Sequence, residues 1–109
     1  ISKLNAEFNE SDKVMYDSLE VSGSEVINVV NKFKNDNIGI KVTTRKSITY
    51  YINYLKNNDT TLGGSSSASI KDAQKSTHSS FINPNAQFVG EVLRDVNKTI
   101  IGIAFSQLS

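Results

Sequence analysis

The first nineteen residues carry their large apolar side chains at Ile1, Leu4, Phe8, Met15 and Leu19, at intervals of 3, 4, 7 and 4. At about 100° per residue these positions share an arc of roughly 60°, while Lys3, Glu7, Glu10, Asp12 and Lys13 lie elsewhere on the cylinder. The spacing predicts a helix over 1–19. So narrow a stripe resembles a seam between packed helices more than the broad face of a core helix. The pattern reaches residue 1 without a cap, and residue 1 is not Met, so the helix is expected to continue upstream.

A second helix begins at a marked signal. Ser22 and Glu25 have capping-box spacing, with Val21 before the cap and Val26 placed to staple onto it. Val26, Val29, Val30 and Phe33 then form one face, flanked by Ile27, and Asn35-Asp36-Asn37 ends the helix.

Period-two alternation follows. Ile38, Ile40 and Val42 alternate with Gly39, Lys41 and Thr43, and Ile48, Tyr50, Ile52 and Tyr54 alternate likewise over 48–55. With Arg45-Lys46-Ser47 as the loop, Val42 faces Tyr50, Ile40 faces Ile52 and Ile38 faces Tyr54, so both apolar rows share one side. This register turns Tyr50 and Tyr54 inward and leaves Tyr51 outside. Residues 56–69 read as a polar loop rich in Gly and Ser, residues 70–80 as holding a short helix, and 81–85 as a turn.

The last 23 residues predict a second hairpin around Asp95-Val96-Asn97-Lys98, pairing Phe88 with Phe105, Gly90 with Ile103 and Val92 with Ile101. A glycine at position 90 leaves space for a helix to come close. The fold expected is α+β: an N-terminal helix and a second short helix on one face of a four-stranded antiparallel sheet. One domain spans 1–109, with the N-terminal helix at 1–19 and a globular head at 20–109. No internal repeat is visible.

Composition narrows the chemistry. The 109 residues have a net charge of +1, which gives no reason to expect nucleic acid or anionic lipid as a partner. The 12 Asn, 15 Ser and 7 Thr make a polar surface with little charge. The absence of Cys removes disulfides, zinc thiolates and thiol catalysis. No apolar run approaches the roughly 20 residues of a membrane span.

Searching for a catalytic or metal-binding constellation yields none. His78 is the single histidine, in the polar run KSTHSS with no carboxylate nearby in sequence, and reads as a solvent-exposed loop residue. The acidic residues are scattered, and Asp59 stands alone where a calcium loop would need alternating acids. Leu62-Gly63-Gly64-Ser65-Ser66-Ser67 lacks the spacing of a phosphate loop. Tyr50, Tyr51 and Tyr54 with Arg45 and Lys46 form the one aromatic–basic cluster, yet a single-strand platform needs more exposed rings and more positive charge. Three Asn-x-Ser/Thr sequons match what chance gives in a chain of this composition. No enzyme activity, cofactor or metal is expected.

An initial helix whose apolar seam starts at residue 1, followed by a compact antiparallel sheet, resembles the globular part of a type IV pilin or pseudopilin. The segments VSGSEVINVVNKF and FINPNAQFVGEVLRDVNKTIIGIAFSQ are similar to small membrane-anchored surface proteins of Gram-positive bacteria. The resemblance is one of layout over nearly the whole chain. It implies an exported structural subunit, tethered to the membrane through an upstream segment and displayed at the cell surface. Such a subunit would assemble with copies of itself or related subunits through Ile1, Leu4, Phe8, Met15 and Leu19. The alternative is a monomeric extracellular binding module, adhesin-like or an inhibitor of cystatin-like layout, using loops such as 56–69 and 81–87.

Overall fold

The computed structural model describes residues 11–108. Ile1, Leu4 and Phe8 lie outside them. The described chain runs α1 (residues 11–14), β1 (Glu20–Ser22), α2 (Gly23–Lys32), β2 (Gly39–Thr43), β3 (Ile48–Tyr51), β4 (Asn53–Lys56), β5 (Thr61–Ser65), α3 (Ile70–Ala73), β6 (Gln87–Arg94) and β7 (Ile100–Gln107).

The second helix forms where its capping signal places it. Ser22 is the N-cap, and its hydroxyl accepts from the Glu25 amide at 3.2 Å. Val26, Ile27, Val29, Val30 and the C-cap Phe33 are buried. The first helix is shorter than predicted. Helical residues stop at 14, a turn covers 15–18, and Ser18 takes a left-handed φ of 64° before the chain enters β1.

The expected four-stranded antiparallel sheet is overturned. β1, β6, β7, β2 and β3 form, in that order, a five-stranded mixed sheet, and β4 and β5 form a second sheet of two. The two hairpins meet through β2 and β7, which run parallel with Ile40 beside Ile103 and Val42 beside Phe105. Alternation tells which side of a strand is apolar but carries no information about its neighbour or direction. That is why the parallel pairing is invisible in the pattern. β1 adds an edge strand by pairing Val21 with Phe88, and it is too short to show a period.

Within the first hairpin the register differs by one residue from expectation. Val42 faces Thr49, Lys41 faces Tyr50 and Ile40 faces Tyr51. The loop is Arg45-Lys46 alone, because the Thr44 amide donates to the Ser47 carbonyl at 2.9 Å and Thr44 Oγ1 accepts from the Lys46 and Ser47 amides. A slip of one exchanges the faces of β3. Tyr51 is therefore the core residue, 1% exposed, and Tyr50 points outward.

The predicted strand 48–55 also breaks. Ile52 has φ 72°, rare for a β-branched residue, and the chain bends there into β4. β4 crosses the outer face of the main sheet, where a Cβ on Gly39 would sit 2.6 Å from the Asn53 carbonyl oxygen. Leu55 is buried over that glycine and Gly102, while Tyr54 is exposed. The segment read as a polar loop supplies β5, which pairs with β4 despite its composition of Thr, Gly and Ser.

The core lies on the other face, between the sheet and α2. Tyr16, Val26, Val29, Ile40, Tyr51, Ile82, Phe88, Ile103 and Phe105 belong to one contiguous buried cluster.

Candidate functional site

Lys13 in α1 and the residues that follow the helix attach to the domain by a different side from the predicted seam. Tyr16 packs edge-on against Phe33 and Phe105, with centroids 6.3 and 6.0 Å away. Lys13 Nζ lies 5.0 Å above the Phe33 ring and 3.1 Å from Asp36 Oδ2. The main chain then docks on β6. Ser18 N–H donates to the Gly90 carbonyl, Gly90 N–H donates to the Leu19 carbonyl, and Asp17 Oδ1 accepts from Val92 N–H at 3.0 Å. Gly90 is required for this approach, since a Cβ there would fall 2.3 Å from the Tyr16 carbonyl oxygen. It admits the turn after α1, where the sequence suggested a helix.

This attachment turns Val14, Met15 and Leu19 outward, at 41%, 55% and 39% exposure. Of the five predicted seam residues, Met15 and Leu19 are described, and both remain uncovered. Tyr16, which anchors the segment, was not singled out by the stripe because it sits about 100° around a helix from Met15.

A cleft of about 600 Å³ opens between the end of α2, the bend at Ile52 and the connection from β5 to α3. Asn31 and Lys34 project from the helix end, and Asn35, Asp36 and Asn37 come from the turn that follows. Asn53 lies across from them, with Ser65 and Ser66 on the third wall. Asn53 is buried and its Nδ2 donates to the Ile38 carbonyl at 3.0 Å. Ser66 fastens the bend, its amide donating to the Ile52 carbonyl at 2.9 Å and its hydroxyl to the Tyr50 carbonyl at 2.6 Å. The run Asn35-Asp36-Asn37 was legible as a helix stop, while its role as a wall depends on Ile52.

His78 is not isolated as its sequence context suggested. Asp72, six residues earlier, folds back to place Oδ2 3.6 Å from His78 Nε2. On the other side Nδ1 accepts from the Ser80 amide at 3.1 Å and lies 2.8 Å from Ser80 Oγ. A backbone amide can only donate, so Nδ1 is the acceptor and the neutral ring carries its proton on Nε2, toward Asp72. The order Ser, His, Asp matches a nucleophile with its base, but Ser80 is buried and spaced only two residues from His78. Neither the large cleft nor the smaller hollow beside Arg45 reaches either residue. The trio ties down the turn at 78–80. Beside it the Tyr51 hydroxyl is buried without a hydrogen-bond partner among the described residues. Burial pushes this phenol up, and the neighbouring Ser80 hydroxyl offsets part of the effect.

On the outer face Asp59 joins two side chains. Lys41 Nζ lies 2.7 Å from Asp59 Oδ2, and the Tyr50 hydroxyl donates to Oδ1 at 3.0 Å. The bond to Asp59 raises Lys41, and burial followed by the same carboxylate raises Tyr50. Asn57, Asn58 and Asp59 all take left-handed φ, which swings the carboxylate back over the sheet. The adjoining Asn residues are the trace of this turn in the sequence.

Among the described residues no group of three or more His, Asp or Glu side chains could hold a metal ion, and no helix is long and apolar enough to cross a membrane. Comparison with protein-family models, curated proteins and solved structures finds no match for this chain.

Proposed function

We propose that this chain is a non-enzymatic structural subunit of a cell-surface filament or envelope apparatus, pilin-like in organisation, that assembles with copies of itself or related subunits through its N-terminal helix. In this reading the full-length form is displayed outside the cell and tethered to the membrane by a segment upstream. The observation that carries it is the split within residues 13–19. Lys13 and Tyr16 attach the segment to its own domain, and Met15 and Leu19 stay uncovered together with Val14. Burial against a neighbour would contribute about 1.5–3 kcal/mol for each such side chain, before the cost of ordering. Repetition along an array multiplies that gain.

The 109 residues contain no Cys, so cysteines introduced among them permit a direct test. Single cysteines are introduced as Met15→Cys, Leu19→Cys and, as a control on the hairpin tip, Val96→Cys in the full-length protein in its own cells. Disulfide-linked dimers at Met15→Cys and Leu19→Cys, with none at the more exposed control, are expected. Equal crosslinking at all three positions, or none at any, would refute the assembly reading.

The cleft favours a second reading, a monomeric extracellular binding module. It predicts full partner binding after Leu4 and Phe8 are replaced by Ser, a double substitution that abolishes assembly in the first reading.

A further inference from the structure

The cleft beside Ile52 has the chemistry of a ligand site, and we propose that it binds a short, uncharged oligosaccharide. This does not rest on the assembly reading, because the cleft walls include none of the seam residues.

Three observations point to that ligand class. The first is the kind of polar group present. Asn31, Asn35, Asn37 and Asn53 bring four side-chain amides to one hollow, and Ser65 and Ser66 add hydroxyl groups. An amide both donates and accepts, and so does a sugar hydroxyl, so many such groups in a small volume match a ligand dense in hydroxyls. Asn31, Asn35 and Asn37 are exposed and no contact within the described chain holds their amide nitrogens. Asn53 is fixed by Ile38 and gives the hollow one rigid amide.

The second observation is charge. The lining contains one Lys and one Asp, and the Asp36 carboxylate is paired with Lys13. Nothing here builds the cationic cradle a phosphate or nucleotide requires, nor the acidic one a cation requires.

The third is the state of the backbone. A peptide that binds by strand addition draws its affinity from main-chain hydrogen bonds to a free strand edge. At this cleft the Tyr50 and Ile52 carbonyls are occupied by Ser66, and the Ile38 carbonyl by Asn53. That leaves the side-chain amides and hydroxyls as the main polar groups this wall offers a ligand. The left-handed Ile52 opens the hollow and, with Ile70, adds a small apolar floor of the kind that accepts the C–H face of a sugar ring.

The test is a titration of the ¹⁵N-labelled chain with neutral trisaccharides of glucose and of N-acetylglucosamine, an acidic uronate trisaccharide, and an uncharged tripeptide. At least one neutral trisaccharide should shift the side-chain amide signals of Asn31, Asn35, Asn37 and Asn53 in a saturable way. The double substitution Asn31→Ala and Asn35→Ala, at exposed positions, should weaken that response about tenfold, as loss of one or two ordinary hydrogen bonds requires. Ile52→Gly should weaken it as well, with the relief of the left-handed backbone offsetting part of the packing that the half-buried side chain gives up. Response to the uronate or the tripeptide alone, shifts that ignore the Asn substitutions, or no response to any probe would each overturn the proposal.

Discussion

The β2–β3 and β6–β7 hairpins differ from their sequence-based registers by one residue and by two, and only the first difference changes the molecule. In β6–β7 the pairs are Phe88 with Gln107, Gly90 with Phe105 and Val92 with Ile103. A displacement of two keeps every side chain on its predicted face, so Phe88, Ile103 and Phe105 remain core residues. In β2–β3 a displacement of one sends Tyr51 inward and Tyr50 outward. The composition of the strands explains why. β7 alternates Ile101, Ile103 and Phe105 with Gly102, Ala104 and Ser106, so one face holds nearly all the bulk. β3 reads Ile-Thr-Tyr-Tyr, with an aromatic ring available to either face. Where bulk is one-sided the faces are determined by the strand itself. Where it is two-sided, a turn of two residues in place of three decides them.

The largest test of this contrast lies in β3. Tyr51→Ala removes a fully buried ring and should lower unfolding free energy by about 3–5 kcal/mol. Tyr50→Ala loses one surface hydrogen bond and should cost about 1 kcal/mol. Urea unfolding of the two variants measures both. The register read from alternation alone demands the reverse order, so the ranking separates the two structures without coordinates.

The turns themselves come next. Each is held by one side-chain oxygen that accepts two amides: Thr44 Oγ1 takes Lys46 and Ser47, and Asp95 Oδ1 takes Asn97 and Thr99 at 2.9 and 3.0 Å. The carboxylate bonds are shorter and charge-assisted. Asp95→Ala should therefore destabilise by about 1.5–3 kcal/mol and Thr44→Val by about 0.5–1.5 kcal/mol, read from the same urea curves. Although smaller in energy, the Thr44 change should be the one that broadens amide signals across β3, since it frees a strand that can present either face. Broadening confined to the Asp95 variant would undo the explanation by one-sided bulk.

What could be read in advance follows from the same distinction. The cap at Ser22 and the apolar face of α2 were legible because a helix start and a 3.6-residue period are local properties. The core membership of Ile40, Val42, Phe88, Ile103 and Phe105 was legible because their strands are one-sided. The parallel pairing of β2 with β7 was not, since nothing in either strand names its neighbour. β5 carries no apolar alternation, and its pairing depends on β4 being redirected at Ile52. The cleft has the same origin: its Asn residues are visible in sequence, yet only that bend brings Asn53 opposite Asn31 and Asn35. Met15 and Leu19 read as part of a helical stripe, yet they lie in and just after the turn at 15–18, and the inward anchor at Tyr16 needed Gly90 to admit the backbone.

The smallest expected effect is on pH dependence, and it bears on the outward face of β3. Lys41, Tyr50 and Tyr51 are all shifted upward in the folded chain, from ordinary values of 10.5 for Lys and 10.0 for Tyr. With folded values above unfolded ones, these groups leave stability level below about pH 10. Above it the unfolded chain has released protons that the folded chain still holds, so unfolding becomes easier as pH rises through the folded values. Tyr50→Phe removes one of the three proton-holding groups and weakens the hold of Asp59 on Lys41. Stability at pH 7 should fall by about 0.5–1.5 kcal/mol, and the decline between pH 10 and pH 11 should become shallower than in the parent. Tyr51→Phe should also flatten the decline, but with unchanged or higher stability at pH 7, because it deletes a buried hydroxyl that has no hydrogen-bond partner among the described residues. Urea unfolding at intervals from pH 7 to 11 resolves the two patterns. A Tyr50→Phe variant with the parent's slope would mean that Asp59 does not bridge Lys41 and Tyr50 in solution, and the outward placement of Tyr50 would lose its support.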